Sequence, residues 1–222
     1  TKTGYTFTGY YDAITGGTKY YNADMTSARS WTLDETATLY ARWTANTYTI
    51  TLNNQGGTGS SNVTATYGSS LPTLTAPTKA GHRFLGYFTA TTGGTQYYSS
   101  TMVSQVTWNS TNPITLYARW EAIEYTITFN TNQGTGAQTA VTVTYGSNMS
   151  PITVAPTRPG YVFTGYYDAV TGGTKYYNAD LSSAKTWDKE ANTVLYAHWQ
   201  ANPYTVRFNA NGGTGTMADQ TF

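Results

Sequence analysis

One sentence is written three times in this chain. "GYYDAITGGTKYYNAD" (Gly9–Asp24) returns as "GYYDAVTGGTKYYNAD" (Gly165–Asp180), and "GYFTATTGGTQYYSST" (Gly86–Thr101) stands between them. The boxes Leu39–Trp43, Leu116–Trp120 and Leu195–Trp199 all read "LYA-x-W", so their tryptophans are 77 and 79 residues apart. Tyr48, Tyr125 and Tyr204, which open "YTITLN", "YTITFN" and "YTVRFN", keep the same two spacings. A fixed period of this length marks a tandem array; it exceeds the roughly 20–50 residues of common solenoid repeats, so each unit can bury a small core of its own.

The repeat fixes the expected boundaries. Residues 48–120 and 125–199 are whole units, 1–43 match only the second half of one, and 204–222 match only the first strands. The links Thr44–Thr47, Glu121–Glu124 and Gln200–Pro203 are short and polar. This reads as a window on a longer repetitive protein. Aligned on a whole unit, Phe222 matches Val143 and Thr1 matches Thr157, and the stretch equivalent to Thr144–Pro156 falls between them. Residues 1–43 are therefore expected to fold against strands equivalent to Tyr48–Tyr67, supplied from outside this stretch. The source is either a continuous chain, the favoured reading, or the tail of another molecule by strand addition.

Within 125–199, Tyr125, Ile127 and Phe129 alternate with threonines, the period of a half-buried strand. "NTNQGTG" (Asn130–Gly136) is a turn cluster, and Val141, Val143 and Tyr145 alternate again, predicting a hairpin. "GSNMSPITVAPTRPG" (Gly146–Gly160) carries three prolines and reads as an extended crossover. "YVFTGYYDA" and "TKYYN" flank a "TGG" turn, and "TVLYAHW" is the last strand. In "ADLSSAKTW" (Ala179–Trp187), Asp180 can cap while Leu181, Ala184 and Trp187 fall at three-residue spacing, so a helical turn is expected. The predicted class is mainly β, α+β at most, in small tandem units of four or five strands with at most one short helical turn. The predicted core is Trp43, Trp120, Trp199, Phe84, Phe163, Ile127 and Phe129.

Composition excludes more than it selects. The chain of 222 residues has a formal net charge of +1 and 10% charged residues, which gives no basic face for phosphates. No apolar run is long enough for a membrane span, and no signal peptide is visible. There is no cysteine, which removes disulfides and thiolate metal sites. Asp12, Asp24, Asp168 and Asp180 sit beside turns, but the middle copy has Thr89 and Thr101 at the matching places, so they read as turn and cap residues rather than calcium ligands. His82 and His198, the only histidines, match Tyr161 and Arg119 in neighbouring copies and share no role. With no nucleophile elbow, no HExxH and no P-loop, neither enzyme activity nor a cofactor nor a metal is expected.

The paired tyrosines leave one binding reading open. Alternation in a strand puts one of each pair outward, and Tyr10, Tyr87 and Tyr166 could form a surface strip for stacking sugars of host or matrix glycans. Ordinary cross-strand aromatic pairing accounts for them more simply.

"YTITFN…GTG", "APTRPGYVFTGYYDAVTGGTKY" and "TVLYAHW", in the frame of Pro156-Thr157, Gly160-Tyr161, Phe163, Gly165-Tyr166 and Leu195–Trp199, resemble the Listeria–Bacteroides repeat family, the B-repeat type found in internalin B. The resemblance covers nearly the whole chain; it departs in having Gly-Tyr where the family often has Gly-Trp. It implies a β-grasp-like module strung in bacterial surface and secreted proteins, with no catalytic residues. The expected role is a non-catalytic stalk or fibre section of an adhesin-like extracellular protein. Its expected partners are neighbouring repeats of the same or an adjacent chain, with no nucleic acid and no membrane insertion; the alternative is a glycan- or matrix-binding module.

Overall fold

The computed structural model describes residues 1–136 and 138–222. Two compact units, Thr1–Glu121 and Ala122–Phe222, divide the chain. Among the described residues there is no helix, and hence none long and apolar enough to cross a membrane.

The first unit holds two sheets. β1 (Tyr5–Tyr11), β2 (Lys19–Tyr21) and β3 (Tyr40–Ala45) form a three-stranded sheet in the order β2-β1-β3. β4 (Thr47–Asn53), β5 (Asn62–Thr66), β6 (His82–Phe88), β7 (Gln96–Tyr98) and β8 (Thr115–Ala122) form a five-stranded sheet in the order β5-β4-β8-β6-β7. In the second unit, β9 (Glu124–Asn130), β10 (Val141–Thr144), β11 (Tyr161–Tyr167), β12 (Lys175–Asn178) and β13 (Thr193–Ala201) repeat that order as β10-β9-β13-β11-β12. β14 (Thr205–Val206) and β15 (Gln220–Thr221) make a separate two-stranded hairpin.

Each five-stranded sheet joins two antiparallel parts along one parallel seam. The hairpin β9–β10 pairs Ile127 with Val141, and β9 then lies parallel to β13, with Leu195 beside Phe129. β4 and β8 repeat the seam with Leu52 beside Leu116. Parallel neighbours need a long connection between them. Here the rest of the unit supplies it: the return strand of the first hairpin, an extended crossover and a second hairpin.

Side-chain alternation then builds the cores. Ile127, Val143, Leu195 and Ala197 face inward and are buried, together with Met149 and Ile152 from the proline-rich crossover. Ile50, Leu52, Val63, Ala65, Leu71, Leu116 and Ala118 do the same in the other five-stranded sheet. The largest fully buried side chains of the two cores are Trp108 and Trp187. Trp120, Trp199, Phe129 and Phe163 pack against these cores half-buried, while Phe84 and Ile127 are inside.

A bulge interrupts β1 and β11 at the glycine of the "GYY" motif, and Gly86 of the "GYF" motif shares its backbone geometry. Gly9, Gly86 and Gly165 have φ of 133°, 134° and 139°. A Cβ at these positions would lie 2.2–2.3 Å from the carbonyl oxygen of Tyr21, Tyr98 or Tyr177. Only a residue without a side chain fits there, so this letter persists through the repeat. Both glycines of each "TGG" turn also have positive φ.

The expected helical turn at Ala179–Trp187 is absent. Leu181 has φ 69°, a left-handed conformation that no helix accommodates, and the Asp180 carboxylate accepts the Ser182 N–H at 3.0 Å within a tight turn. The chain then doubles back: Ala184 N–H donates to Tyr176 O, and Tyr177 bridges Ser183. Trp187 N–H donates to Ser147 O, and Gly146 N–H to Trp187 O, fastening the indole under the crossover. Asp180 is thus a turn residue and not a helix cap.

Candidate functional site

Three local constellations recur in every sheet that contains a "GYY" or "GYF" strand. The first closes the "TGG" turn. Asp12 Oδ1 accepts Thr18 N–H at 2.7 Å, Asp168 Oδ1 accepts Thr174 N–H at 2.7 Å, and Thr89 Oγ1 accepts Thr95 N–H at 2.9 Å. Burial alone would raise the Asp168 carboxyl, but hydrogen bonds from Lys189, 2.8 Å away, and from Thr174 N–H outweigh it and hold the group below the usual carboxylate range. In the next turn, Asp24 and Asp180 accept from Thr26 and Ser182, which lowers both carboxyls. Hydrogen bonding to the charged form accounts for all of these. Among the described residues, no group of three or more acids and histidines gathers.

The second constellation ties the last strand to that turn. Arg42 and Arg119 donate to the carbonyls of Ala13 and Ala90 at 2.8 and 2.9 Å while lying over the rings of Tyr11 and Phe88. His198 occupies the same place: its Nε2 is 2.8 Å from Ala169 O, and its ring stacks on Tyr167 at 3.9 Å. The one-for-one exchange of His198 with Arg119 is therefore a structural substitution, in which a flat polar side chain stacks on an aromatic ring and holds a carbonyl.

The third is an aromatic trio facing the core. Phe84–Tyr87 and Phe84–Trp120 centroids are 5.2 and 5.3 Å apart; Phe163–Tyr166 and Phe163–Trp199 are 5.0 and 5.7 Å apart. Phe7–Tyr10 and Phe7–Trp43 repeat the arrangement at 5.2 Å each. In the five-stranded sheets the tryptophan of the trio also grips the first hairpin. Trp120 Nε1 donates to Asn54 O at 2.9 Å, and Trp199 Nε1 donates to the carbonyls of Thr131 and Asn132 at 3.0 Å. Gly57 and Gly134 make that grip possible, since a Cβ there would come within 2.5 Å of the indole.

This overturns the surface role expected for two tyrosines. Tyr87 and Tyr166 are 1% and 0% exposed; in the "GYF" and "GYY" strands of the five-stranded sheets the residue after glycine is the inward one, as a one-residue bulge at Gly165 makes it, while both Tyr176 and Tyr177 of the neighbouring strand are buried. A sugar-stacking strip repeated in each unit through these residues is excluded. Burial pushes Tyr87, Tyr98 and Tyr177 up to about 12 and also raises Tyr166.

Tyr10 is different, and so is its whole sheet. Tyr10, Phe7 and Trp43 are half-buried, and with Thr1, Lys2, Tyr5 and Met25 they line an open hollow of about 460 Å³. Tyr21, Met25 and Trp31 are 40%, 56% and 53% exposed. Their counterparts in the second sheet, Tyr98, Met102 and Trp108, are at most 1% exposed. The hairpin β14–β15 has the complementary condition: Tyr204, Val206, Phe208 and Phe222 are all exposed. Residues 1–43 and 204–222 each hold only part of a repeat, so these side chains lack the strands that cover their counterparts in the five-stranded sheets. Trp31, Trp108 and Trp187 were legible as a series, since they too are 77 and 79 residues apart.

The model of the Listeria–Bacteroides repeat domain matches residues 1–42, 48–119 and 125–198. A protein of Evansella cellulosilytica described as a Gly-rich membrane protein is 33% identical over 222 residues, covering 96% of this chain and 23% of that protein. A second protein of that organism, described as a membrane protein, is 35% identical over 187 residues, 80% of this chain and 24% of its own length. Internalin H of Listeria monocytogenes is 41% identical over 128 residues, 58% of this chain and 21% of its own length. The chain thus spans less than a quarter of each of these relatives.

Proposed function

Because this chain belongs to the Listeria–Bacteroides repeat family, we propose that it is a non-catalytic stalk section of a bacterial cell-surface or secreted protein, spacing a functional domain from its anchor. The observation that carries this reading is the serial architecture. The same sheet order returns at a fixed period, and Asp12, Asp168 and His198 are spent on turns and strand locks rather than on a cleft. Relatives described as membrane proteins and an internalin support the surface location.

A stalk requires each unit to be self-sufficient and to add length. Strands of 6–9 residues plus a short link should add roughly 30–40 Å per repeat. Small-angle scattering on chains carrying one, two and three copies of residues 48–124 inserted in tandem tests this. The maximum dimension rises by that increment per copy. A maximum dimension that fails to rise in proportion overturns the stalk.

A further inference from the structure

The whole repeat 48–120 carries a hollow of about 360 Å³ whose lining includes Gln55, Lys79, His82, Leu85, Arg119 and Trp120. That volume lies within the roughly 300–1,000 Å³ of small-molecule sites. Cations and apolar surface meet there without an acid. None lines the hollow, and Glu121, next to Trp120 in the chain, is ion-paired with Arg83. We propose that this hollow binds a carboxylate-bearing sugar residue of an acidic polysaccharide. The site goes beyond the stalk reading and stands without it.

The ligand class follows from what each lining group has left to give. Lys79 Nζ donates to Gln55 O at 3.1 Å, and an ammonium has three hydrogens to donate, so two remain. Arg119 donates through Nη2 to Ala90 O at 2.9 Å and lies 3.9 Å over the Phe88 ring, while its Nε is buried with no partner among the described residues. The carbonyl and the ring fix the guanidinium plane in advance, so little ordering is left for the ligand to impose. Among the described residues, neither Lys79 nor Arg119 has an acidic partner. His82 Nδ1 is 2.7 Å from Ala80 O. A carbonyl only accepts, so Nδ1 holds the proton and Nε2 of the neutral ring is an acceptor. Leu85, 38% exposed, and the half-buried Trp120 supply the apolar wall. An acidic sugar meets all three demands: a carboxylate for the cations, a hydroxyl for Nε2 and a C–H face for the wall. An inorganic anion leaves the wall and Nε2 unused, and a neutral sugar leaves the cations uncompensated.

The other whole repeat holds the same positions differently. Arg158, Tyr161 and His198 stand where Lys79, His82 and Arg119 stand. Arg158 is spent: it donates to Gln133 Oε1 at 2.7 Å and lies 3.8 Å over the Tyr161 ring. The acceptor nitrogen of His82 is replaced by a phenol, and the permanent charge of Arg119 by an imidazole. The turn and core letters repeat between the two units while these three change. The constant frame thus carries a site in residues 48–120 that its neighbour lacks, as sites grafted on a shared fold do.

The test titrates the full chain with three probes, followed by amide chemical shifts. They are a hyaluronan tetrasaccharide, whose only charges are carboxylates, the neutral chitotetraose, and inorganic phosphate. Saturable shifts around the hollow are expected with the first, with a Kd of roughly 0.1–1 mM that rises with added salt. Lys79→Gln and Arg119→His should each weaken binding at least ~5-fold through the loss of a charged donor. Arg119→His installs the residue that the next repeat carries at this place, so the strand lock and the melting temperature should be kept while binding falls. Arg158→Gln should leave the Kd unchanged. A tetrasaccharide that gives no saturable shift up to ~10 mM overturns the proposal. So does chitotetraose or phosphate binding as tightly as the tetrasaccharide, or binding that survives both Lys79→Gln and Arg119→His.

Discussion

Residues 5–24 and 161–180 differ at two of twenty positions, Thr6 against Val162 and Ile14 against Val170, yet they live in different environments. Tyr21 is 40% exposed where Tyr177 is 0%, and Trp31 is 53% exposed where Trp187 is 0%. The backbone does not register this. Both stretches have the same bulge, the same left-handed turn glycines, the same aspartate-closed hairpin and the same aromatic trio. Local geometry is thus written in the local letters, while burial depends on whether a hairpin and a crossover lie on the sheet. Identical residues lie in a hydrophobic core in one place and are open in the other.

Deleting the matched tryptophans should give the largest contrast. Trp187→Ala removes a fully buried indole and is expected to cost about 3–5 kcal/mol, enough to unfold its sheet at ambient temperature. Trp31→Ala should stay within about 0.5 kcal/mol. Urea unfolding of the two variants, with the free energy extrapolated to water, reads both. Equal losses would mean that the first sheet is covered in solution.

Alkali should separate the same regions. Tyr98 and Tyr177 are raised to about 12 by burial, against an unfolded value near 10. Their contribution is fully present below pH 10 and is lost as pH rises toward 12, by up to about 1.4 kcal/mol per pH unit for each group. Melting temperatures between pH 9 and 12 should fall, and Tyr177→Phe should flatten the decline for the second unit. A flat profile in the parent chain would mean that these phenols are not buried.

Glycine substitution should erase the contrast instead. Gly9→Ala and Gly165→Ala meet the same carbonyl at 2.2 and 2.3 Å, and each should cost roughly 1–3 kcal/mol in local strain. Near-equal losses in denaturant melts would confirm that the bulge belongs to the strand; a cost confined to Gly165 would assign it to the completed sheet.

The smallest effects belong to the exposed turns. Asp24→Ala and Asp180→Ala should each lower the melting temperature slightly and by similar amounts. Because both carboxyls are lowered by hydrogen bonds from Thr26 and Ser182, what they add is present above the ordinary carboxylate range and is lost as pH falls below it. Melts at pH 7 and pH 3 should therefore differ less in the variants than in the parent.

The period, the strands and the turns are legible in the letters alone, because they follow from alternation, from glycine at forbidden φ and from proline without an N–H. The letters also show that His198 stands where Arg119 stands, though not what either does. Which tyrosine of the "GYY" pair points inward came from the folded sheet, since one bulge residue reverses the alternation at Gly165. The tertiary structure turned Ala179–Trp187 into a doubled-back edge, because Asp180 bonds to the second residue ahead of it and Leu181 takes a left-handed φ. And it decided that Trp108 and Trp187 are the deepest residues while Trp31 is open. Burial is a property of what lies across a sheet, and that neighbour comes from strands and crossover segments far along the chain, which no local pattern of letters contains.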